Sequence, residues 1–161
     1  LLQRDRGGKE IPYPVKAGGQ ATDIPMVVLI NQGTASAAEI TSGALQYYKR
    51  GTVIGMPTFG TGTVLSTFKL SDGSALLLGT GEWLTPGGAM IRRQGIAPDV
   101  KVEMKPDVQL VTPTIEKTLS AQDIQSTADL QFKKALEMLT GGTAGVELTP
   151  AAAVTVPGQP F

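Results

Sequence analysis

One strand–helix–strand segment constrains the fold of this chain more than any other feature. Residues 26–30 form a short apolar run, as is typical of a strand buried on both faces. A helix is predicted from Ala35 to Lys49, ending at Gly51, and residues 52–55 form the next strand. The helix would pack through one stripe of side chains: Ala37, Ile40, Ala44, Leu45 and Tyr48. Two strands joined in this way are expected to run parallel, so the fold class is α/β.

The remaining segments predict a β-hairpin and one further helix. Residues 64–70 alternate as in a half-buried strand, and a turn signal at 71–74 leads to a returning strand at 75–80, which could continue to Trp83. Residues 1–25 are expected to form a hairpin or loop, residues 101–117 are expected to be irregular, and a helix is predicted over 130–139. The sequence thus predicts one partial domain over 1–140 and a flexible Ala/Pro/Gly-rich tail over 141–161.

Composition excludes several classes of function. The 161 residues include 14 basic and 14 acidic side chains, which gives no electrostatic basis for a nucleic-acid partner. Because the chain has no Cys and no His, it can form neither a thiol nucleophile nor a Ser-His-Asp triad. We therefore predict no metal site and no cofactor, and any acid–base chemistry must use Lys, Asp, Glu, Tyr or hydroxyl groups.

The junction between the first strand and its helix contains the candidate catalytic residue. Residues 31–40 place a hydroxyl, that of Ser36, where a helix begins. Free N–H groups and the positive end of the helix dipole favour a developing anion there, so a serine at that point could attack a carbonyl carbon. The simpler interpretation, that Ser36 or Thr34 only caps the helix, is the more common role of such residues.

Several stretches together resemble the C-terminal processing peptidases, also called tail-specific proteases. The matching segments lie in the family's order and spacing: Val27-Val28-Leu29-Ile30-Asn31-Gln32-Gly33-Thr34-Ala35-Ser36-Ala37-Ala38-Glu39-Ile40, Gly43-Ala44-Leu45-Gln46, Pro57-Thr58-Phe59-Gly60, Leu70-Ser71-Asp72-Gly73-Ser74-Ala75-Leu76, Thr85-Pro86-Gly87-Gly88 and Gly95-Ile96-Ala97-Pro98-Asp99-Val100. The resemblance implies the C-terminal part of a catalytic domain with a ClpP/crotonase-like core. It also implies a serine endopeptidase with a Ser/Lys dyad.

On this resemblance Ser36 is the nucleophile and the amide of Ala37 is an oxyanion donor. The family's general base is a lysine 25 positions after the serine, and that position is Thr61 here. A supporting glutamine four positions further on is also absent, since that position is Leu65. A threonine hydroxyl cannot accept a proton as a lysine amine with a lowered pKa can. At best, Thr61 could hold a water or orient Ser36.

Three explanations of the missing lysine remain open. The chain could be an inactive pseudoprotease that keeps a peptide-binding or scaffolding role. Another group, such as Lys16, Lys69 or Glu39, could lie within reach of Ser36 in the fold. Alternatively, the base could come from outside this chain. By its residue type and position, Glu39 suits the first turn of a helix, where a carboxylate complements the dipole.

Partners and location follow from the resemblance alone. The chain begins without Met or a signal pattern, and we interpret it as part of a longer protein. The resemblance implies polypeptide substrates with apolar C-termini, an upstream half of the catalytic domain, a PDZ domain and an extracytoplasmic location. Homo-oligomers are expected if the surface that packs on the upstream half is exposed. A relative of the same fold that handles acyl-CoA is the weaker alternative.

Overall fold

A computed structural model describes residues 1–16 and 18–141. The elements in chain order are β1 (Leu2–Asp5), β2 (Glu10–Pro12), β3 (Val27–Ile30), α1 (Ala37–Tyr47), β4 (Thr52–Gly55), β5 (Thr63–Lys69), β6 (Ala75–Leu84), β7 (Val100–Lys101), α2 (Pro113–Glu116), α3 (Ala121–Ser126) and α4 (Leu130–Leu139). The predicted flexible tail, apart from its first residue, lies outside the described residues.

A three-stranded parallel sheet with the order β3-β4-β7 contains the predicted strand–helix–strand unit. β3 and β4 pair in parallel from Val27 opposite Thr52 to Ile30 opposite Gly55, and α1 connects them. This confirms the α/β class. The helix is shorter than predicted at both ends, because Ser36 and Lys49 have positive φ angles of 56° and 52°. Left-handed backbone at these two positions is incompatible with α-helix.

Two burial predictions for this unit are wrong. β3 is not buried on both faces, since Leu29 is 40% exposed while Ile30 is 2% exposed. The reason is that β3 lies at the edge of its sheet, and an open cavity of about 570 Å³ adjoins Leu29. The fully buried residues of α1 are likewise not those of the predicted apolar stripe but Glu39, Ser42 and Gly43, although Ile40 of that stripe packs, partly buried, against the core cluster.

The glycine on that helix face explains why it packs inward. A Cβ at Gly43 would lie 2.8 Å from the Cδ1 atom of Ile96, so a larger residue would require the end of that side chain to shift. Ile96 belongs to the core cluster together with Ile30, Val53 and Ile91. The absence of a side chain at Gly43, together with the packing of Ile40, therefore brings this side of α1 against the core.

An antiparallel sheet with the order β2-β1-β6-β5 is the second sheet of the structure. The predicted hairpin is present, with Lys69 opposite Ala75 and a register shift between Val64 and Leu65. β6 continues past Trp83 to Leu84 and pairs with β1, which itself forms a hairpin with β2. The distal hairpin is less buried than predicted: its exposed large side chains are Leu65, Phe68, Leu70, Leu76, Leu77 and Leu78.

Local capping explains the helices that follow β7. α4 matches the prediction, and its N-cap is Asp129, whose carboxylate accepts the Phe132 N–H. α2 lies within the segment predicted to be irregular, where Pro113 follows the N-cap Thr112. α3 was not predicted, and a Ser120–Asp123 capping box begins it. Both helices are short and have no buried residues, so no apolar periodicity marks them in the sequence.

Candidate active site

Ser36 lies in a strained turn directly before α1. Its backbone has φ 56° and ψ −120°, a conformation that a non-glycine residue adopts only when surrounding contacts hold it. Ser36 is also exposed, as are the next two residues, Ala37 and Ala38. A hydroxyl-bearing residue with a strained backbone and an open surface is typical of functional positions rather than of core packing.

The Ser36 hydroxyl is not used as a helix cap. The Glu39 N–H, which a capping serine side chain would engage, donates instead to the Ser36 carbonyl oxygen at 2.9 Å. The Ser36 side chain and the Glu39 N–H are placed as in a capping box, but the hydroxyl makes no capping hydrogen bond, whereas the Glu39 carboxylate accepts the Ser36 N–H at 2.9 Å. The carboxylate half of the capping arrangement therefore holds the turn and leaves the serine oxygen available.

The N–H of Ala37 has no hydrogen-bond acceptor among the described residues. Ala37 is the first residue of α1, where N–H groups have no partner within the helix and the helix dipole is positive. The neighbouring amide of Ala38 donates to the Ala35 carbonyl oxygen at 3.2 Å. Beside Ser36, the Ala37 N–H is thus free to receive negative charge from an external group.

Glu39 is completely buried, with 0% of its surface exposed, and its carboxylate accepts four hydrogen bonds. Oε1 accepts the Thr58 hydroxyl at 2.6 Å and the Gly60 N–H at 2.5 Å. Oε2 accepts the Ser36 N–H at 2.9 Å and the Thr61 N–H at 2.8 Å. We call this arrangement of one carboxylate and four donors the carboxylate tether. It joins the serine turn to the glycine-rich loop at 58–62.

The tether keeps the Glu39 side chain ionised. Burial raises the pKa of this carboxyl group, but the hydrogen bonds from the Thr58 hydroxyl and from the amides of Thr61, Gly60 and Ser36 lower it by more. The net pKa lies below the ordinary value of 4.5. An ionised carboxylate whose two oxygens already hold four donors is a poor proton acceptor. The interpretation of Glu39 as the base at Ser36 therefore finds no support in this geometry.

The glycine-rich loop at 58–62 is fixed on its other side by the turn at 91–96. The Arg93 N–H donates to the Gly60 carbonyl oxygen at 2.8 Å, and the Thr58 hydroxyl accepts the Ile96 N–H at 2.7 Å. Gly62 has a φ of 44°, and a Cβ there would lie 2.4 Å from the Arg92 nitrogen. This close approach of two backbone segments requires glycine at position 62.

Gly62→Ala should therefore lower the free energy of unfolding by about 2 kcal/mol or more, because it adds a backbone clash to the cost of left-handed φ. Gly73→Ala is the matched control, since Gly73 also has a positive φ of 87° but a Cβ there meets nothing within 4 Å. We expect the control to lose about 1 kcal/mol from φ alone. Urea unfolding of both variants measures the difference, and equal losses would show that the loop can shift away from residues 91–93.

Two of the predicted site positions come together through the tether. The backbone nitrogens of Ser36 and Thr61 donate to the same carboxylate oxygen, so they lie no further apart than the combined length of those two hydrogen bonds. The Phe59 N–H adds a second link between the loops by donating to the Thr34 carbonyl oxygen at 2.9 Å. Position 61 thus belongs to the neighbourhood of Ser36, and Thr61 is the residue found there.

The two lysines weighed as alternative bases are not joined to Ser36. Both Lys16 and Lys69 are exposed, and neither hydrogen-bonds to Ser36. Lys69 ends β5, six residues after Thr63, which places it roughly 20 Å along the strand from the tethered loop. Among the described residues, no amine is hydrogen-bonded to the Ser36 hydroxyl.

Sequence reasoning missed the roles of Glu39 and Thr58. Ser36 followed three residues later by Glu39 is a capping-box pattern, which indicates a helix start. It does not indicate that Glu39 binds the loop 19 to 22 residues further along the chain. Thr58 is 7% exposed and bridges the Glu39 carboxylate and the Ile96 N–H. No local pattern marks such a bridge, because it depends on contacts that only the fold creates.

The described residues contain neither a cluster of metal ligands nor a membrane-spanning helix. Over 1–16 and 18–141, no group of three or more acidic side chains is placed to hold a metal ion. In the same residues, no helix combines the length and apolar character needed to cross a bilayer, the longest being α1 with 11 residues.

Comparison with known proteins gives consistent matches over the same region. The family model described as Peptidase family S41 matches residues 2–102. A carboxyl-terminal-processing protease from Synechocystis sp. is 44% identical over 127 residues, covering 79% of this chain and 27% of its own length. A carboxyl-terminal-processing protease from Picosynechococcus sp. is 37% identical over 134 residues, covering 83% of this chain and 30% of its own length.

Among solved structures, a lipoprotein from Streptococcus agalactiae matches with a TM-score of 0.55 and 25% identity, covering 64% of this chain and 40% of that one. The chain thus spans less than a third of the length of the two curated relatives. The chain therefore matches only part of each of these longer proteins, as expected of a partial domain.

Proposed function

The chain belongs to peptidase family S41, among relatives that are carboxyl-terminal-processing proteases, and from this premise we propose that it carries the nucleophile of a serine endopeptidase. In this proposal Ser36 attacks the peptide carbonyl and the Ala37 N–H stabilises the resulting oxyanion. The observation that supports it most is the exposed Ser36 hydroxyl, which makes no capping bond and lies beside an N–H with no acceptor among the described residues.

The reaction is acyl transfer in two steps. The Ser36 Oγ forms a bond to the carbonyl carbon, the bond from that carbon to nitrogen breaks, and the serine proton ends on the leaving amine. Water then attacks the ester, which releases the new carboxyl terminus and returns the proton to Ser36. The positive end of α1 and the Ala37 N–H stabilise the negative charge on the carbonyl oxygen in both steps.

Thr61 limits the rate of the first step. The serine proton must leave as the bond to carbon forms, and a threonine hydroxyl offers no accepting state for it near neutral pH. In the absence of an amine, the proton passes through water, which Thr61 can hold by its hydroxyl. The site is therefore an impaired peptidase site, with its nucleophile and oxyanion donor in place and its base missing from position 61.

The proposed substrates are polypeptides with apolar C-terminal segments. β5 lies at the edge of its sheet and offers unpaired backbone groups to an added strand. Its exposed Leu65 and Phe68 would contact apolar side chains of the bound segment. β5 begins two residues after Thr61, so a strand bound there leads directly to the serine turn.

The second candidate is a peptide-binding or scaffolding protein without catalysis. One observation favours it: position 61 carries threonine, and no amine among the described residues is hydrogen-bonded to the Ser36 hydroxyl. Under this alternative the exposed edge of β5 still binds polypeptides, while Ser36 remains unmodified by them. The two functions therefore differ in the reactivity of Ser36 and not in peptide affinity.

The biological setting extends the same proposal. An upstream half of the catalytic domain, a preceding PDZ domain and an extracytoplasmic location are what the family resemblance implies for the complete protein. Self-association is expected through the exposed apolar surfaces, including the edge strand β3 with its exposed Leu29.

A fluorophosphonate probe tests the proposed nucleophile. Such a probe should form a bond between its phosphorus and the Ser36 oxygen, with fluoride as the leaving group and the serine proton passing to solvent. Peptide mapping by mass spectrometry should place the adduct on Ser36 and find none in Ser36→Ala. Ser42→Ala is the matched control, since Ser42 is 2% exposed and its hydroxyl donates to the Ala38 carbonyl oxygen. A wild-type chain that remains unmodified, or an adduct on another residue, would contradict the assignment.

A further inference from the structure

The carboxylate tether joins the two segments that the proposed reaction uses, and the inference drawn from it rests on the proposed function. We propose that Glu39 is a positioning residue, which sets the geometry between the Ser36 hydroxyl and the side chain at position 61. It acts through backbone amides on both sides and does not contact the substrate. Its position in the first turn of α1 would also suit a simple helix-stabilising charge. The hydrogen-bond partners of Glu39 outside α1 distinguish the positioning role from that simpler one.

The hydrogen bonds of Glu39 are distributed over two separate segments of the chain. One of the four donors, the Ser36 N–H, belongs to the serine turn, and the other three belong to residues 58–61. A charge that only complemented the helix dipole would remain near the surface and would not need these three partners. Glu39 is fully buried, and a carboxylate so placed is tolerated only because each oxygen is satisfied.

The carboxylate tether leaves the Ser36 hydroxyl without a capping hydrogen bond. Where a serine begins a helix, its side chain usually accepts a hydrogen bond from an amide of the first turn. Here the Glu39 carboxylate holds the Ser36 N–H, and the Glu39 N–H is taken by the Ser36 carbonyl oxygen. The tether thereby stabilises the left-handed backbone of Ser36 without using its hydroxyl, and the Ala37 N–H remains open as the proposed oxyanion donor.

The hydroxyl of Thr58 is held by a hydrogen bond on each side. Its hydroxyl oxygen accepts the Ile96 N–H at 2.7 Å, so its own proton points to Glu39 Oε1 at 2.6 Å. This chain of bonds connects the core residue Ile96 to the serine turn through two buried side chains. Any displacement of the loop at 58–62 is therefore transmitted to Ser36, which is what a positioning residue requires.

Glu39→Gln breaks one side of the tether with minimal change in shape. A carboxamide has a single acceptor oxygen, so either the Gly60 N–H, or the amides of Ser36 and Thr61, must face an NH₂ group. We expect hydrogen exchange, measured residue by residue by NMR, to accelerate about tenfold or more for Gly60, or for both Ser36 and Thr61. Phosphonylation of Ser36 by a fluorophosphonate should slow about tenfold or more in the folded variant.

Thr58 supplies the second variant and its control. Thr58→Val keeps the shape of the side chain but removes one donor to Glu39 and the acceptor of the Ile96 N–H, so labelling should slow severalfold. Thr58→Ser keeps the hydroxyl and should restore the wild-type labelling rate. If circular dichroism shows that Glu39→Gln does not fold, the labelling rates of Thr58→Val and Thr58→Ser test the positioning role on their own. Wild-type labelling rates in both Glu39→Gln and Thr58→Val would overturn the positioning role.

The two proposals fail in different ways. If Ser36 is unreactive even in the wild-type chain, while the exchange of the Ser36, Gly60 and Thr61 amides responds to Glu39→Gln as expected, the tether is supported and the nucleophile assignment is wrong. If those amides exchange at unchanged rates in Glu39→Gln, the tether itself is wrong, whatever the reactivity of Ser36.

Discussion

Replacing Thr61 with lysine should raise the rate at which this chain cleaves unfolded, apolar-tailed polypeptides by about 100- to 10,000-fold, the range typical of a positioned general base. The physical reason is that the backbone at position 61 is already held beside Ser36, since both amides donate to Glu39 Oε2. A lysine side chain introduced there supplies the proton acceptor that threonine lacks, and no rearrangement of the loop is needed.

Two other substitutions at position 61, with side chains of similar length to lysine, serve as controls for this gain in cleavage rate. Thr61→Met fills the same space without an amine, and Thr61→Arg brings a cation that does not lose its proton. Neither should gain activity. Only neutral lysine can accept the serine proton, so the activity of Thr61→Lys should rise with pH. A gain of similar size in Thr61→Met, or no gain in a folded Thr61→Lys, would show that position 61 does not serve the serine.

The second large effect is expected from Ser36→Ala. In the Thr61→Lys background this change should reduce cleavage by about 1,000-fold or more, because the loss of a nucleophile removes the covalent route altogether. Peptide affinity, measured by fluorescence anisotropy with an apolar-tailed peptide, should change by no more than about twofold. Ser36 is exposed, and its hydroxyl makes no capping bond, so its removal should leave the stability of the fold nearly unchanged.

The outcome of that substitution separates the two proposed functions. Equal cleavage by Ser36→Ala and by its parent would mean that the nucleophile is another residue. Absence of cleavage in every variant, combined with unchanged peptide binding, would establish the non-catalytic alternative. The Ser42→Ala variant serves as the control for loss of a serine hydroxyl, because the Ser42 hydroxyl is used within α1.

The strand–helix–strand unit could be predicted from the sequence because its determinants are local. The apolar run at 26–30 and the second strand at 52–55 are separated by a segment of helical length, and right-handed parallel crossover is the usual result. Burial of β3 could not be predicted in the same way. Leu29 is 40% exposed because β3 occupies a sheet edge, and strand order is a property of the assembled sheet.

What the sequence alone determined about the site is its chemistry: a serine at a helix start, and threonine where the family resemblance implies a lysine. The tertiary structure decided how the site is held together. Glu39 and Thr58 are separated by 19 positions, and their hydrogen bond exists only because the loop at 58–62 packs against the start of α1. Residue types follow from the sequence, but the partners of a buried carboxylate depend on which distant segments the fold brings within about 3 Å of it.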